Sequence, residues 1–419
     1  MLVLATVIAT VVVVVLAYNF AAPERRIEHR LERLYSIDDP QFRRSLSALL
    51  GPQLIGGNHV EMLINGDRIF PAMLEAIRGA QHTINFESYI YLSGDVGTQF
   101  ADALAERARA GVEVHLLVDW AGSQKMDDAL ITKMKDAGVE IERYHPPRWY
   151  HLGRMNNRTH RKLLIVDGTI GFTGGVGIAD QWSGDAQDPD HWRDTHYRVT
   201  GPVVAQLQAA FNDNWLKVSQ EIMHGPRYFP PLEPVGAMNA QVFTSSPSGG
   251  SESMHLMYLM AITAAQEEIL ISASYFVPDD LTQRALVDAR KRGVRVEIVL
   301  PGHHMDAPFV EHASRKRWGP LLAEGVRIYE YQPTMYHAKA MVADGFFVSV
   351  GSTNFDPRSF RLNDEANLNL LDRELAALHE QQFELDKAKS KEVTYEEWAE
   401  RPWHERAREK LAGLVESQL

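Results

Sequence analysis

The sequence predicts an α/β protein of two similar halves packed with pseudo-two-fold symmetry, preceded by one N-terminal transmembrane helix. Three observations carry this expectation. The first 22 residues are apolar and uncharged, strand–helix–strand patterns recur twice at nearly constant offsets, and each repeat holds one His-x-Lys-x4-Asp. Repeated β–α–β order is the signature of α/β units rather than of a helical bundle or an all-β sandwich. A chain of 419 residues with 45% hydrophobic and 23% charged side chains has room for about two domains of ordinary size.

The N-terminal run, Met1 to Ala17, reads MLVLATVIATVVVVVLA, and Tyr18 to Ala22 extends it to Pro23. About 20 helical residues span a bilayer core, so residues 1–22 are expected to be an anchor. A cleaved signal peptide would begin with a basic segment, and none is present. Arg25, Arg26, Arg30 and Arg33 follow, interleaved with Glu24, Glu28 and Glu32. The positive-inside rule then places the bulk of the chain on the cytoplasmic side of the membrane. Residues 23–54 are expected to form a charged juxtamembrane linker.

The first half is expected over 55–225 and the second over 249–386. In the first, Ala80-Gln81-His82-Thr83-Ile84 opens an apolar strand ending in Glu87-Ser88-Tyr89; in the second, Ala265 to Ile269 opens one ending in Ser274-Tyr275. A helical stretch follows each, stopped by Gly111 or Gly293, before a β-branched strand. Asp136-Ala137-Gly138 and Ala323-Glu324-Gly325 repeat the same helix-to-strand step. A divider rich in Pro, Gly and Ser is expected over 226–248. The tail over 387–419, rich in Glu, Lys and Arg, is expected to be a solvated helix.

Composition limits the function. Asp and Glu outnumber Lys and Arg by 55 to 43, a net charge of −12, which disfavours a nucleic-acid-coating protein. With no cysteine there is no disulfide scaffold, thiolate metal site or Cys nucleophile.

The chemistry is expected in His160-Arg161-Lys162, closed by Asp167, and in His337-Ala338-Lys339, closed by Asp344. Gly174-Gly175 follow the first motif and Gly351-Ser352-Thr353-Asn354 the second. On a strand, His and Lys at i and i+2 share a face. One imidazole cannot be both nucleophile and leaving-group acid in one step; two, from two half-sites, can divide these roles. The lysines and Asn354 would hold the non-bridging oxygens of a phosphoryl transition state, with no metal or cofactor required. An Asp before Gly at a strand end ties down a turn, so Asp167 and Asp344 are expected to be structural.

The paired motifs resemble the phospholipase D superfamily. The apolar N-terminus, the Phe86 to Tyr89 strand and Trp192-Arg193-Asp194-Thr195-His196 resemble bacterial cardiolipin synthases within it. The resemblance covers roughly residues 55 to 385. It implies two phospholipase D-like α/β/α halves and transfer of a phosphatidyl group through a phosphohistidine. His160 is then the nucleophile, His337 the acid, and Lys162 and Lys339 the phosphate contacts. Carboxylates orient the imidazoles in this family, and Glu365 and Asp194 fit that role. The implied reaction joins two phosphatidylglycerols into cardiolipin and glycerol, with phospholipid and membrane as partners and no nucleic acid. Alternatives are a phospholipase D releasing phosphatidic acid, a nuclease, and a catalytically dead scaffold.

One position departs from the pattern. The counterpart of Asn354 in the first half is Gly177, so either the two halves share the oxyanion work unequally or another donor, such as Ser183 or a backbone amide, substitutes. Arg143 to His151, with Arg154, Arg158 and Arg161, forms a basic, aromatic stretch suited to holding lipid phosphate. Arg315-Lys316-Arg317-Trp318 reads as a solvated helix face, and Tyr89 and Tyr275 as core residues.

Overall fold

The computed structural model describes residues 2–20, 27, 29–146, 157–247 and 253–413. The strands of the first half are β1 (Ile55–Ile64), β2 (Thr83–Ser88), β3 (Glu113–Asp119), β4 (Glu140–Tyr144), β5 (Arg158–Thr159), β6 (Leu163–Val166), β7 (Ile170–Gly174) and β8 (Thr195–Thr200). The second half contributes β9 (Met238–Ser245), β10 (Glu268–Ala273), β11 (Arg295–Pro301), β12 (Arg327–Tyr331), β13 (Lys339–Ala343), β14 (Phe347–Gly351) and β15 (Asn363–Leu371), and β16 (Ser390–Val393) adds an edge.

All belong to one sheet. The first half runs β4-β3-β2-β6-β7-β8-β1 and the second β12-β11-β10-β13-β14-β15-β9, the same order of equivalent strands. The halves join through antiparallel β1 and β9, where Ile55 faces Ala240 and Asn58 faces Met238. That order, read outward from the β1–β9 seam in both directions, is the pseudo-two-fold symmetry expected from the repeat.

Helices cover both faces of the sheet. In chain order they are α1 (Leu2–Phe20), α2 (Pro40–Leu50), α3 (Gly66–Gly79), α4 (Asp95–Arg109), α5 (Asp128–Asp136), α6 (Val204–Ser219), α7 (Ser253–Ala264), α8 (Asp280–Lys291), α9 (Pro308–Ala323), α10 (Pro357–Arg361), α11 (Arg373–Lys387), α12 (Tyr395–Ala399) and α13 (Trp403–Ala412). One core joins α3, α4 and α5 to the first half, and another joins α2, α7, α8 and α9 to the second. On the opposite face α6 and α11 seal a core shared by both halves, with Phe211, Trp215, Leu375 and Phe383 packed on strands of each. The shared core explains why the halves are one folding body rather than two linked domains.

Several expected boundaries move. The stretch 23–54 is not only linker: α2 buries Phe42, Leu46 and Leu50, and the Phe42 ring meets Phe347 edge-on at 5.7 Å. An apolar face at i, i+4, i+8 drives this burial. β9 falls inside the expected divider, so the second half begins earlier than 249. The tail is no lone solvated helix: β16 pairs with β12, Trp398 Nε1 donates to the Arg315 carbonyl at 2.7 Å, and Ala412 is buried. Arg315 is likewise no solvated group, since it bonds Glu330 at 2.5 Å and lies 5.6 Å above the buried Trp318 ring.

For the expected anchor, α1 is a 19-residue helix with no charged residue in its first or last turn. Its side chains are described over 3–14, all of them exposed. Among the described residues no helix is long and apolar enough to cross a membrane. Glu24, Arg25, Arg26 and Glu28 lie outside the described residues, as do 147–156 of the basic, aromatic stretch, Arg148, Trp149, Tyr150, His151 and Arg154 among them.

Candidate active site

Each His-x-Lys segment leaves its own half to pair with the other. β5 runs parallel to β15, and the His160 amide donates to the Asp364 carbonyl at 2.8 Å. Symmetrically, Arg193 bridges Tyr336, and the His337 amide donates to the Arg193 carbonyl at 2.7 Å. These exchanged contacts place each imidazole against a carboxylate of the opposite half. His160 Nδ1 lies 3.0 and 2.9 Å from the two oxygens of Glu365. His337 Nδ1 lies 2.7 Å from Asp194 Oδ2.

The carboxylates are themselves fixed. Ser352 Oγ donates to Glu365 Oε2 at 2.5 Å, and Asn363 Nδ2 to Oε1 at 3.2 Å. Trp182 Nε1 donates to Asp194 Oδ2 at 3.0 Å, and the Thr195 amide to Oδ1 at 2.7 Å. Ser352 has Gly175 as its counterpart, and a Cβ there would overlap Asp194 Oδ1. The shorter Asp194 can therefore reach His337 only because position 175 is glycine.

Both imidazoles line one cavity of about 350 Å³ with Lys162, Asn354 and Gly177. Lys162 Nζ donates to the His160 carbonyl at 2.8 Å. Lys339 Nζ donates to Ser274 Oγ at 2.5 Å and lies 3.1 and 3.3 Å from the His337 ring nitrogens. Ser274 in turn donates to Asn354 Oδ1 at 2.9 Å, which leaves the Asn354 amide NH2 as its cavity donor.

Burial dominates the electrostatics. It pushes the His160 imidazole down to about 4, with Glu365 opposing and Lys162 assisting. His337 is also lowered, by burial and then by Lys339. Burial takes Lys162 down to about 7 and Lys339 to about 8, although Glu365 and Asp194 oppose it. Burial alone would raise Glu365, but His160, Lys162 and the Ser352 hydroxyl together hold it below the ordinary carboxylate range. Asp194 is lowered in the same way, His337, Lys339 and the Thr195 amide outweighing burial. The site thus presents two neutral imidazoles whose Nδ1–H groups bond ionised carboxylates, leaving each Nε2 lone pair to the cavity.

Asp167 and Asp344 do not join this group. Each sits in a left-handed Asp–Gly turn, φ 52° and 51°, at the far end of the strand that starts beside its lysine. Asp167 accepts from the Gln81, His82 and Thr83 amides at 2.9, 2.7 and 2.9 Å; Asp344 caps Gln266, Glu267 and Glu268 in the same way. They fasten the starts of β2 and β10.

Gly177 is also explained. A Cβ there would lie 3.0 Å from both Ile90 Cβ and Trp182 Cζ3, so an asparagine would have to push these side chains back. Ser183 is no substitute, because its hydroxyl donates to the Asp180 carbonyl at 2.6 Å. Arg161 is also not a lipid contact: it is fully buried and donates to the Ala210 carbonyl and to Asp213.

Some cavity residues were read as core or passed over. Tyr89 meets the His160 ring edge-on at 5.2 Å, and Tyr275 donates to Asp306 at 2.8 Å. Trp182 and Trp192 flank His337 at 5.2 and 5.4 Å. The repeat had already aligned Tyr89 with Tyr275, and that equivalence was the signal available for them. Nothing in the sequence marked Asp306.

The comparisons agree with this geometry. A profile described as cardiolipin synthase, PLD-like domain, matches residues 73–215 and 258–387. The chain is 35% identical over 363 residues to the cardiolipin synthase of Oceanobacillus iheyensis, covering 86% of this chain and 75% of that one. It is 33% identical over 408 residues to the major cardiolipin synthase ClsA of Bacillus subtilis, covering 94% and 84%. It also resembles cardiolipin synthase A of Pseudomonas fluorescens strain Pf-5, 36% identical over 344 residues, covering 82% and 71%. Among solved structures, a phosphatidylserine synthase of Haemophilus influenzae Rd KW20 shares the fold at a TM-score of 0.66 and 15% identity, covering 91% of this chain and all of that one. The chain belongs to the cardiolipin synthase, PLD-like family of the phospholipase D superfamily, and is an enzyme of its phosphatidyltransferase type.

Proposed function

We propose that the protein moves a phosphatidyl group from one phosphatidylglycerol to another, forming cardiolipin and releasing glycerol. One observation carries the mechanism: two neutral imidazoles share a cavity, each fixed through Nδ1 by a carboxylate of the opposite half. His160 Nε2 attacks phosphorus; the new N–P bond forms as the P–O bond to glycerol breaks. The anionic phosphodiester raises the proton affinity of His337 as it enters, so His337 takes up a proton from water at Nε2 and passes it to the departing alkoxide. The second lipid's hydroxyl then attacks the phosphohistidine, giving its proton to His337 as the P–N bond breaks. Lys162, Lys339 and the Asn354 amide stabilise the charge on the non-bridging oxygens. An anion entering the cavity favours the charged form of each lysine, restoring what burial removes.

In this reading α1 anchors the body at the membrane, with the catalytic halves on the cytoplasmic side. Its uncharged sequence and its exposed apolar side chains support this. Neither half is active alone, because each imidazole depends on the other's carboxylate. The chemistry is complete with these side chains, so activity is expected to persist in excess chelator.

The test supplies purified protein with phosphatidylglycerol vesicles and reads products by mass spectrometry. Cardiolipin and glycerol are expected, lost in His160→Ala and in His337→Ala. Phosphatidic acid without cardiolipin would overturn the transfer reading, and activity surviving either substitution would overturn the two-histidine mechanism.

A further inference from the structure

The cavity has more cationic capacity than one phosphodiester uses. Lys162, Lys339 and Asn354 serve the reacting phosphate. Two further guanidiniums, Arg158 and Arg358, line the same cavity yet belong to neither His-x-Lys motif. Arg158 lies on β5 two residues before His160, so strand alternation puts both on one face. Arg358 comes from α10, which follows the Asn354 loop in the second half. The two converge on Tyr89: burial and Asp119 raise its hydroxyl, and Arg358 and Arg158 are the groups that oppose them. Arg358 itself is lowered, first by burial, with Arg158 adding to the effect and Tyr89, Asp356 and Asp119 opposing it. Bringing two like charges together in a partly buried place costs free energy, a cost that an anion between them would offset. In a chain of net charge −12 the pairing is no general basic background.

We infer that Arg158 and Arg358 form a second phosphate subsite, which holds the phosphodiester of the acceptor lipid while the phosphatidyl group rides on His160. The inference rests on the transfer reading above. An acceptor phosphatidylglycerol is an anion whose terminal hydroxyl is separated from its own phosphate by only the glycerol carbons. When that hydroxyl reaches phosphorus at His160, the second phosphate must enter the same cavity as the first. Guanidiniums bind phosphate bidentately and offset the repulsion between the two anions. A cavity of about 350 Å³ falls within the roughly 300–1,000 Å³ of small-molecule sites. Water and simple alcohols need no such partner, so the pair biases the phosphohistidine towards a lipid acceptor. As the O–P bond forms, the P–N bond to His160 breaks and the acceptor proton passes to His337.

The test makes two acceptors compete for one intermediate. Phosphatidylglycerol vesicles are supplied with ethanol, so the same phosphohistidine yields cardiolipin from an anionic acceptor and phosphatidylethanol from a neutral one. Arg158→Gln and Arg358→Gln are expected to lower the cardiolipin-to-phosphatidylethanol ratio by about tenfold or more. The Arg→Lys versions, which keep charge but lose the fork, are expected to lower it less. An unchanged ratio overturns the inference, including the case where both products fall together. If a Gln variant makes neither product, the Lys variant decides: a wild-type ratio there overturns the subsite. Failure of the transfer reading is seen separately, as wild-type protein that makes phosphatidylethanol but no cardiolipin.

Discussion

Glu365→Gln isolates the part of the site on which the proposed division of labour depends. The carboxylate is completely buried, and both its oxygens lie within 3.0 Å of His160 Nδ1. The substitution keeps the shape but removes the charge. Hydrogen bonds to charged groups contribute about 1.5–3 kcal/mol, a factor of roughly 10 to 150 in rate if realised only in the transition state. The amide NH2 can also donate to Nδ1, which places the ring proton on Nε2 and blocks the attacking lone pair. A wrong tautomer of this kind costs up to about 10⁴ in a histidine-dependent hydrolase. The expected loss of kcat/KM is therefore about 10²–10⁴. The assay compares phosphatidylglycerol with a phosphatidyl donor carrying a 4-nitrophenyl leaving group, which departs without a proton. The better leaving group is expected to rescue Asp194→Asn, which acts through His337, and not Glu365→Gln, which acts through His160. Rescue of Glu365→Gln alone would show that the nucleophile and acid assignments are exchanged, and equal behaviour of the two variants would refute the division of roles.

Three further outcomes follow from the geometry. Gly175→Ala, whose Cβ displaces Asp194, is expected to lower kcat about 10–100-fold while the protein still folds; wild-type activity would show that Asp194 need not be fixed there. Asp167→Ala removes the acceptor of three backbone amides and is expected to cost about 2 kcal/mol in thermal or denaturant unfolding, with the kcat of the folded fraction nearly unchanged; a lost kcat at unchanged stability would return Asp167 to the chemistry. Because burial holds His160 down at about 4, its imidazole stays neutral as pH falls from 7 to 5. The rate at which diethyl pyrocarbonate inactivates the enzyme, protectable by substrate, should then be flat over that range, whereas an imidazole titrating near 6.5 would slow by more than about tenfold.

Much of the fold could be read from local pattern. Gly111 and Gly293 stop equivalent helices, Asp167-Gly168 and Asp344-Gly345 close equivalent hairpins, and apolar runs between Lys and Asp mark buried strands. These are short-range effects of φ freedom and side-chain alternation, which is why they were legible. Misreadings arose where burial by a distant segment overrode local polarity. The charged tail became an edge strand and docked helices because β12 offered an unpaired edge and α9 offered Trp398 the Arg315 carbonyl and the open surface at Gly319. Arg161, next to Lys162 in the chain, faces Asp213 and Ala210 of α6 rather than lipid, since adjacent strand residues point to opposite sides.

The sequence by itself determined the duplication, the residue types of the two half-sites, the absence of thiol chemistry and the family. Chemistry-bearing side chains at fixed spacing are local facts, and the repeat made each of them count twice. Tertiary structure alone decided which carboxylate serves which imidazole. Glu365 follows His337 in the chain yet holds His160, and Asp194 follows His160 yet holds His337. That exchange exists only because β5 and the Tyr336 segment cross to pair with the other half. It also decided that Gly177 faces Trp182, and that Arg158 and Arg358, 200 positions apart, line one cavity with Tyr89. The physical reason is the same in each case: contact between segments far apart in the chain depends on how whole sheets pack, and no spacing along the chain encodes it.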